Sequence, residues 1–381
     1  MKYFTFLAAL FFNISFLSAT EFTISSYNCG GLSSHYDYLR AASMEKLMQE
    51  RYMAEPEQMH HNEKIQQLAL KILFSEKDKS TALQEWDQKG YQALSERLTA
   101  TPSAPGSPNN LWNEKADAMI TSYRVRPVII RDQKVNQMLE MHLGDLTKTN
   151  GLSFLQRLQE ARKTMATRIF ANHLPYDIIC MQEADYLDPS MFPKHMEVLF
   201  AESSHSINGV AWNTMRFELA RPVGDILGRA FAVQLRDKES GKTVLVISGH
   251  LSGCNPYRMA HDPATGISDS ARGDHELQTL VDLFDSEGAD FAVIGMDANV
   301  TALHPRLSIL KEAGFSVDYE NYLEATCTNP YQVLNTRIDW IALKSKLQKV
   351  SITNIPVLSV GLNSIQTNIS DHKPIAAKIK Y

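Results

Sequence analysis

Apolar runs that each stop at a polar side chain constrain this chain more than any other feature. They read SSYNCG around Asn28, ICMQEAD at Glu183, ISGHLSG at His250, IGMDANV at Asp297 and Asn299, RIDWI at Asp339, and ISDHKP at Asp371 and His372. Short apolar runs bounded by turn signals read as buried strands. A carboxylate at such a strand is costly if it is buried without a partner. Several such ends from distant parts of the chain imply one polar crater that they share.

The spacing between these runs sets the architecture. Residues 22–29 read as a strand, and the next clear strand falls only at 177–183. Later strands are predicted at 208–213, 226–236, 243–249, 291–295, 337–343, 351–356 and 374–380, with helices at 273–286 and 305–313. In the first of these helices Leu277, Leu280, Val281 and Phe284 share the inward face. Many strands with few crossover helices favour an α/β sandwich over a doubly wound sheet. The interval before 177 is mostly helical. Ile65, Leu68, Ala69, Ile72 and Leu73 form one helical face, and Leu83, Trp86, Leu94 and Leu98 another. Thr81 and Gln84 form a candidate capping box for the second helix, with Gly90 weakening its middle. Residues 99–110 are a Pro/Ser/Asn-rich loop. A helix over 151–173 turns Leu155, Leu158, Ala161, Met165 and Ile169 to one side and stops before Pro175.

Each cluster carries a chemical reading beside a plainer one. Glu183 at a cleft-facing strand end suits a hard cation such as Mg2+, which takes oxygen ligands and keeps several waters; it also suits a salt bridge or cap. Asp297 and Asn299 fall on one side of an extended backbone, yet the sequence DAN is also a good turn former. His250 can donate to a phosphoryl oxygen as charge develops, or serve as a structural histidine. His372 beside Asp371, with Asp339 ending another apolar segment, fits an oriented base or a charged phosphate clamp. Adjacent Asp371 and His372 cannot both point inward from a regular strand, so a bend is expected there.

Taken together and in order, these motifs resemble the endonuclease/exonuclease/phosphatase superfamily, the fold of DNase I-like nucleases. Asn28 matches its first-strand Asn, and Gln182–Glu183 its QE motif. His250 matches the central His. Gly295, Asp297 and Asn299 match GDxN, with Met296 as an apparent insertion that a bulge would accommodate. Arg337 with Asp339 and Ser370–Asp371–His372 match the late Asp and the SDH motif. The resemblance spans residues 21–31 and about 151–381. It implies a four-layer α/β sandwich, two packed mostly antiparallel sheets flanked by helices. It also implies a metal at Glu183, with Asn28 and Asp371 assisting; Mg2+ is expected, with Mn2+ or Ca2+ as alternatives. Asp297 then positions or activates water. Asn299 and His250 bind phosphate, with Arg337 as a further candidate. His372, oriented by Asp339, stabilises the transferring group or acts as base. The implied reaction is in-line attack by water on a phosphate ester, with nucleic acid, phospholipid or a small phosphoester as substrate.

The family's link between its Asn and QE motifs is short, so residues 33–150 read as a largely helical insertion within a single domain, 21–381. A substrate lid, a partner-binding module and an inert loop are the three readings of it; the second would make the chain a non-catalytic adaptor. A net charge of −5 does not advertise nucleic-acid affinity, although a local basic groove remains open, with Arg216, Arg229, Arg258, Arg272 and Arg337 as candidates. The first twenty residues, one Lys followed by an apolar run and then Ser18, Ala19 and Thr20, resemble a secretory leader. A monomer exported to the periplasm or the exterior is the resulting expectation. Four cysteines at 29, 180, 254 and 327 contain no CxxC pair, which argues against a zinc site, and leave a Cys254–Cys327 bridge open.

Overall fold

In the computed structural model, twelve strands among the described residues form two six-stranded sheets. The structure describes residues 20–30, 56–90, 154–174, 176–202, 207–253, 269–321, 323–324, 326–327, 337–347, 349–360, 369–370 and 372–381. The strands are β1 (Glu21–Asn28), β2 (Ile178–Gln182), β3 (Met196–Phe200), β4 (Gly209–Asn213), β5 (Phe217–Ile226), β6 (Ala230–Asp237), β7 (Thr243–His250), β8 (Phe291–Asp297), β9 (Ser316–Val317), β10 (Asp339–Ser345), β11 (Ser351–Ile355) and β12 (Ile375–Lys380). One sheet runs β11-β12-β1-β2-β4-β3 and the other β5-β6-β7-β8-β10-β9. Within each sheet one central pair is parallel, β1 with β2 and β7 with β8, and the others are antiparallel. This is a DNase I-like α/β sandwich, as the motif order implied.

Strand period two explains the layers. Phe22 and Ile24, Ile178 and Cys180, Val244 and Val246, Phe291 and Val293, and Ile341 and Leu343 fill the space between the sheets. The alternate residues face outward. Tyr27, Ile179 and Met181 meet Met165, Ala166 and Ile169 of helix α3 (Phe154–Arg168) and the π-helical turn Ile169–His173 that extends it. Leu245, Ile247, Ala292, Ile294 and Met296 meet α4 (Asp269–Glu287) and α5 (Arg306–Glu312). The inward face expected for α4 is observed: Leu277, Leu280, Val281 and Phe284 are all buried.

Two further helices, α1 (Pro56–Phe74) and α2 (Lys79–Lys89), come from the 33–150 interval. Leu70 of α1 joins the cluster of α4 and α5. Ile65, Leu68 and Ala82 close over Ile72, Trp86 and Leu303. The expected capping box at Thr81 is not used: the helix begins at Lys79 behind Asp78. Gly90 does not sit mid-helix either; at φ +68° it caps the end. Leu94, Leu98, the loop 99–110 and the leader up to Ala19 lie outside the described residues, as do the side chains of Leu155 and Leu158. No described helix is long and apolar enough to cross a membrane. Three strands escaped the sequence reading: β3, most of β5 and the two-residue β9. β3 is short and half-buried, and β5 is an edge strand whose middle is exposed and carries Pro222 and Gly224.

Candidate active site

The two sheets deliver their polar residues to the same end because those residues share parity with the core. Above the apolar layer between the sheets lies a polar one. The Gln182 Nε2 donates to Ser26 Oγ (3.2 Å), Ser248 Oγ (3.0 Å) and the Gly295 carbonyl (3.3 Å). Two residues further along each strand come Asn28, His250 and Asp297. Parallel pairing of β7 with β8 puts His250 beside Asp297, and antiparallel pairing of β8 with β10 puts Asp339 on its other side. No register shift interrupts β8. The bulge expected at Met296 is therefore absent. Met296 takes an ordinary strand position and is buried toward α4 and α5, on the face opposite Gly295 and Asp297.

Glu183 follows β2 with φ +50°, an uncommon conformation for a residue with a side chain. Asn28 ties it to the other sheet: its Nδ2 donates to Glu183 Oε1 (3.2 Å) and Asp297 Oδ2 (2.9 Å). The Asn28 Oδ1 accepts from the Gly30 N–H at 3.0 Å, which fixes the direction of the amide. Asn28 thus presents its NH2 rather than its carbonyl oxygen to the carboxylates. His250 Nε2 lies 3.6 Å from both Glu183 Oε1 and Asp297 Oδ2.

On the far side, His372 Nδ1–H donates to Asp339 Oδ2 (2.9 Å) and Oδ1 (3.2 Å), which aims Nε2 to within 3.7 Å of Asp297 Oδ2. The bend expected next to Asp371 is present: Ser370 is in a bend, its Oγ accepts from the His372 N–H, and His372 makes an isolated bridge with Cys327. Asp371 itself lies outside the described residues, as do Cys254 and Arg258. Thr326 Oγ1 accepts from the backbone N–H groups of Ile338 and Asp339, fixing the start of β10.

Charge in this crater is strongly perturbed. Burial penalises the ionised form of Asp297 and raises its pKa, against the opposing pull of His372. Burial alone would lower the pKa of His372, but Asp339, Cys327 and Asp297 outweigh it and hold the imidazole well above its ordinary range. Asp297, Asp339 and His372 offer three donor atoms within 4.8 Å of one another, a set that could hold a divalent cation with the imidazole unprotonated. Glu183 adds a further oxygen donor next to Asp297. A buried carboxylate with raised proton affinity is a group whose ionised form a cation would favour, and an oxygen-rich set suits Mg2+.

Asn299 departs from the extended expectation. The strand stops at Asp297, Asn299 has φ +53°, and its Nδ2 donates to the Leu251 carbonyl at 3.0 Å while its backbone N–H meets Asp297 Oδ1 at 2.9 Å. Arg337 is 2% exposed and stacks 5.1 Å above the Trp340 ring, where burial lowers its pKa to about 10. Arg229 pairs with Glu276 at 3.6 Å near His250, whose N–H donates to the Arg229 carbonyl. Arg272 is half-buried on α4. Arg216 was expected near the site and is not; it binds Asp237 at the opposite end of the sandwich.

No protein-family model matches the chain, and no curated protein does. Solved structures do. A D. rerio TDP2 carrying 14 humanising mutations aligns at 14% identity over 57% of this chain and 93% of its own, with a TM-score of 0.42. A Bacteroides thetaiotaomicron mannosyl-6-phosphatase aligns at 18% over 57% and 90%, with a TM-score of 0.41. The human Nocturnin catalytic domain aligns at 17% over 54% and 80%, with a TM-score of 0.37. At such identities and scores these are distant neighbours in shape, and the chemistry has to be read from the site itself.

Proposed function

We propose that this chain is a divalent-metal-dependent phosphoric ester hydrolase of the endonuclease/exonuclease/phosphatase type, acting on phosphodiesters. One observation carries this reading. His250, Asp297 and Asp339 stand side by side in register, while Asn28 and Glu183 of the other sheet face them and Asp339 aims His372 at Asp297. Glu183 and Asp297 would hold the cation, which would supply positive charge to the phosphoryl oxygens and to the attacking water. Asn28 holds both carboxylates in place through its NH2. The Asp297 carboxylate orients the water and receives its proton. His250 and Asn299 hold the phosphate, and the charged His372 ring, fixed by Asp339, offers its Nε2–H to the oxygen on which negative charge builds.

The test is a Mg2+- and Mn2+-supplemented hydrolysis screen over DNA, RNA, nucleotides, sphingomyelin, phosphoinositides and phosphomonoesters. Chelation, Glu183→Ala and His372→Ala should each lower turnover by about three orders of magnitude, with circular dichroism unchanged. Activity that survives both substitutions would sink the site assignment. If nothing is turned over and residues 33–150 capture a specific protein, the adaptor reading replaces it.

A further inference from the structure

Two buried arginines stand outside the crater, one on each flanking helical layer, and both reach the backbone that carries the site residues. Arg306 begins α5 and is 1% exposed. Its Nη1 donates to the Ser252 carbonyl (2.9 Å) and the Ala298 carbonyl (2.7 Å), and its Nε to Asp274 Oδ1 (2.7 Å). Ser252 lies two residues beyond His250, and Ala298 lies between Asp297 and Asn299. The same loop is held from below by Glu276, which accepts from the Ser252 N–H and Oγ–H at 2.6 and 2.8 Å. Arg162 of α3 is also 1% exposed. Its Nη2 lies against the carbonyls of Cys29 (3.2 Å), Gly30 and Ile369 (3.3 Å). These flank Asn28 on one side and the Ser370–His372 bend on the other. Its guanidinium packs 4.3 Å over the Tyr186 ring, whose hydroxyl donates to the same Cys29 carbonyl.

Each guanidinium also rests against a glycine. A Cβ on Gly273 would come within 2.4 Å of Arg306 Cζ and of the Ser252 carbonyl oxygen. A Cβ on Gly30 would come within 3.3 Å of Arg162 Nη2. Burying a guanidinium is costly unless its donors are used. Here one nitrogen of each guanidinium, Nη1 of Arg306 and Nη2 of Arg162, reaches carbonyls from two separate loops at once, and the Arg306 Nε–H is taken by Asp274.

We infer that Arg306 and Arg162 are positioning residues: Arg306 sets the His250 loop against the Asp297–Asn299 turn, and Arg162 sets the Asn28 turn against the His372 bend. This rests on the proposed function for its kinetic consequence but not for its structural one. A displacement of about 1 Å at a reacting group can cost about 100-fold in rate, so the two arginines govern kcat through residues that they do not themselves join in chemistry.

The experiment uses the full chain with Arg306→Met, Arg306→Lys, Arg162→Met, Arg162→Lys and Gly273→Ala. Amide hydrogen exchange should rise in His250–Gly253 and Ala298–Val300 for the Arg306 and Gly273 variants. It should rise in Cys29–Gly30 and Ile369–Lys373 for the Arg162 variants, with neither set affecting the other's segments. Hydrolysis well below each variant's Tm should show kcat lowered about 10- to 100-fold with KM within about twofold, the Lys variants in between. Arg306→Met and Asn299→Ala should combine less than additively in kcat, since both act on one loop. Exchange that rises everywhere, or in neither pair of segments, would overturn the inference. So would kcat unchanged in the folded Lys and Met variants of an active enzyme. If the wild-type chain turns over nothing, the proposed function fails and the exchange pattern alone decides this one.

Discussion

Asp297 is the residue on which the rest of the crater depends. It accepts from Asn28, faces His250 and His372, and is flanked in register by Asp339. The dyad beside it is the most exposed to a single-atom test. Asp339→Asn keeps size and removes the charge that both orients His372 and favours its cationic form. Turnover should fall by about two to four orders of magnitude with KM little changed and Tm within a few degrees; kcat within about threefold of wild type would exclude the dyad from the reaction. These residues were legible from their types and their places at strand ends. The orientation of Asn28 and the turn at Asn299 were not: the first is set by the Gly30 N–H of the turn that follows β1, and the second by the Leu251 carbonyl of a distant segment. Arg162, Glu276 and Arg306 were missed, although a signal existed. Each falls at helical spacing with buried residues of its own helix, as Glu276 does with Leu280 and Phe284. A charge on an inward face marks a buried partner, and here the partners are largely carbonyls that only the fold brings near.

At the scale of elements, the site rests on how closely the two sheets approach beneath it. Gly295 sets that distance. A Cβ there would lie 2.8 Å from Cys180 Cβ and 3.0 Å from Ser26 Cβ, both in the facing sheet. Gly295→Ala should therefore cost about 1–3 kcal/mol in urea unfolding and also lower kcat, because the sheets must part where Gln182 joins them. A variant as stable as wild type would show that the sheets slide freely at this level. Strand alternation made most of these elements visible beforehand. β5 was hidden because an edge strand has no continuous buried face to leave a pattern, and the apparent insertion at Met296 disappeared once the register showed it to be an ordinary strand residue. α1 was readable as an amphipathic helix, whereas on α2 the expected face was misplaced: Leu83 is exposed, and Ala82 with Trp86 makes the contact. Their docking on Leu303 and the α5 layer was not, since nothing local specifies which apolar stripe they cover.

At the scale of the whole fold, the described residues form a sandwich with unlike ends. The crater occupies one end. At the other, the length of β7 away or roughly 20 Å, Asp237 of β6 ties the second sheet to the last residue of the chain, beyond β12 in the first. Its carboxylate accepts from Arg216 Nε (2.9 Å), Ser240 Oγ (2.7 Å), the Glu239 N–H (3.0 Å) and the Tyr381 hydroxyl. Burial alone would raise the Asp237 pKa, but these donors outweigh it and hold the carboxyl below its ordinary value. The Tyr381 phenol is pushed up to about 12 by its burial and by that same carboxylate. A depressed carboxyl pKa in the folded state means that the unfolded chain takes up the proton first as pH falls. The knot's contribution is thus complete above the unfolded Asp pKa of about 3.9 and is lost as pH drops through the lower, folded value. Thermal unfolding of the wild-type chain should show Tm falling between about pH 5 and pH 3. Asp237→Asn should lower Tm at pH 7 and flatten that acid limb, since no proton uptake remains at this position. It should leave kcat unchanged at temperatures where the protein is folded, because the crater lies at the other end. Parallel acid limbs in the two proteins would show that Asp237 is not the linked carboxylate, and a loss of kcat with stability intact would show that the two ends of the sandwich are coupled.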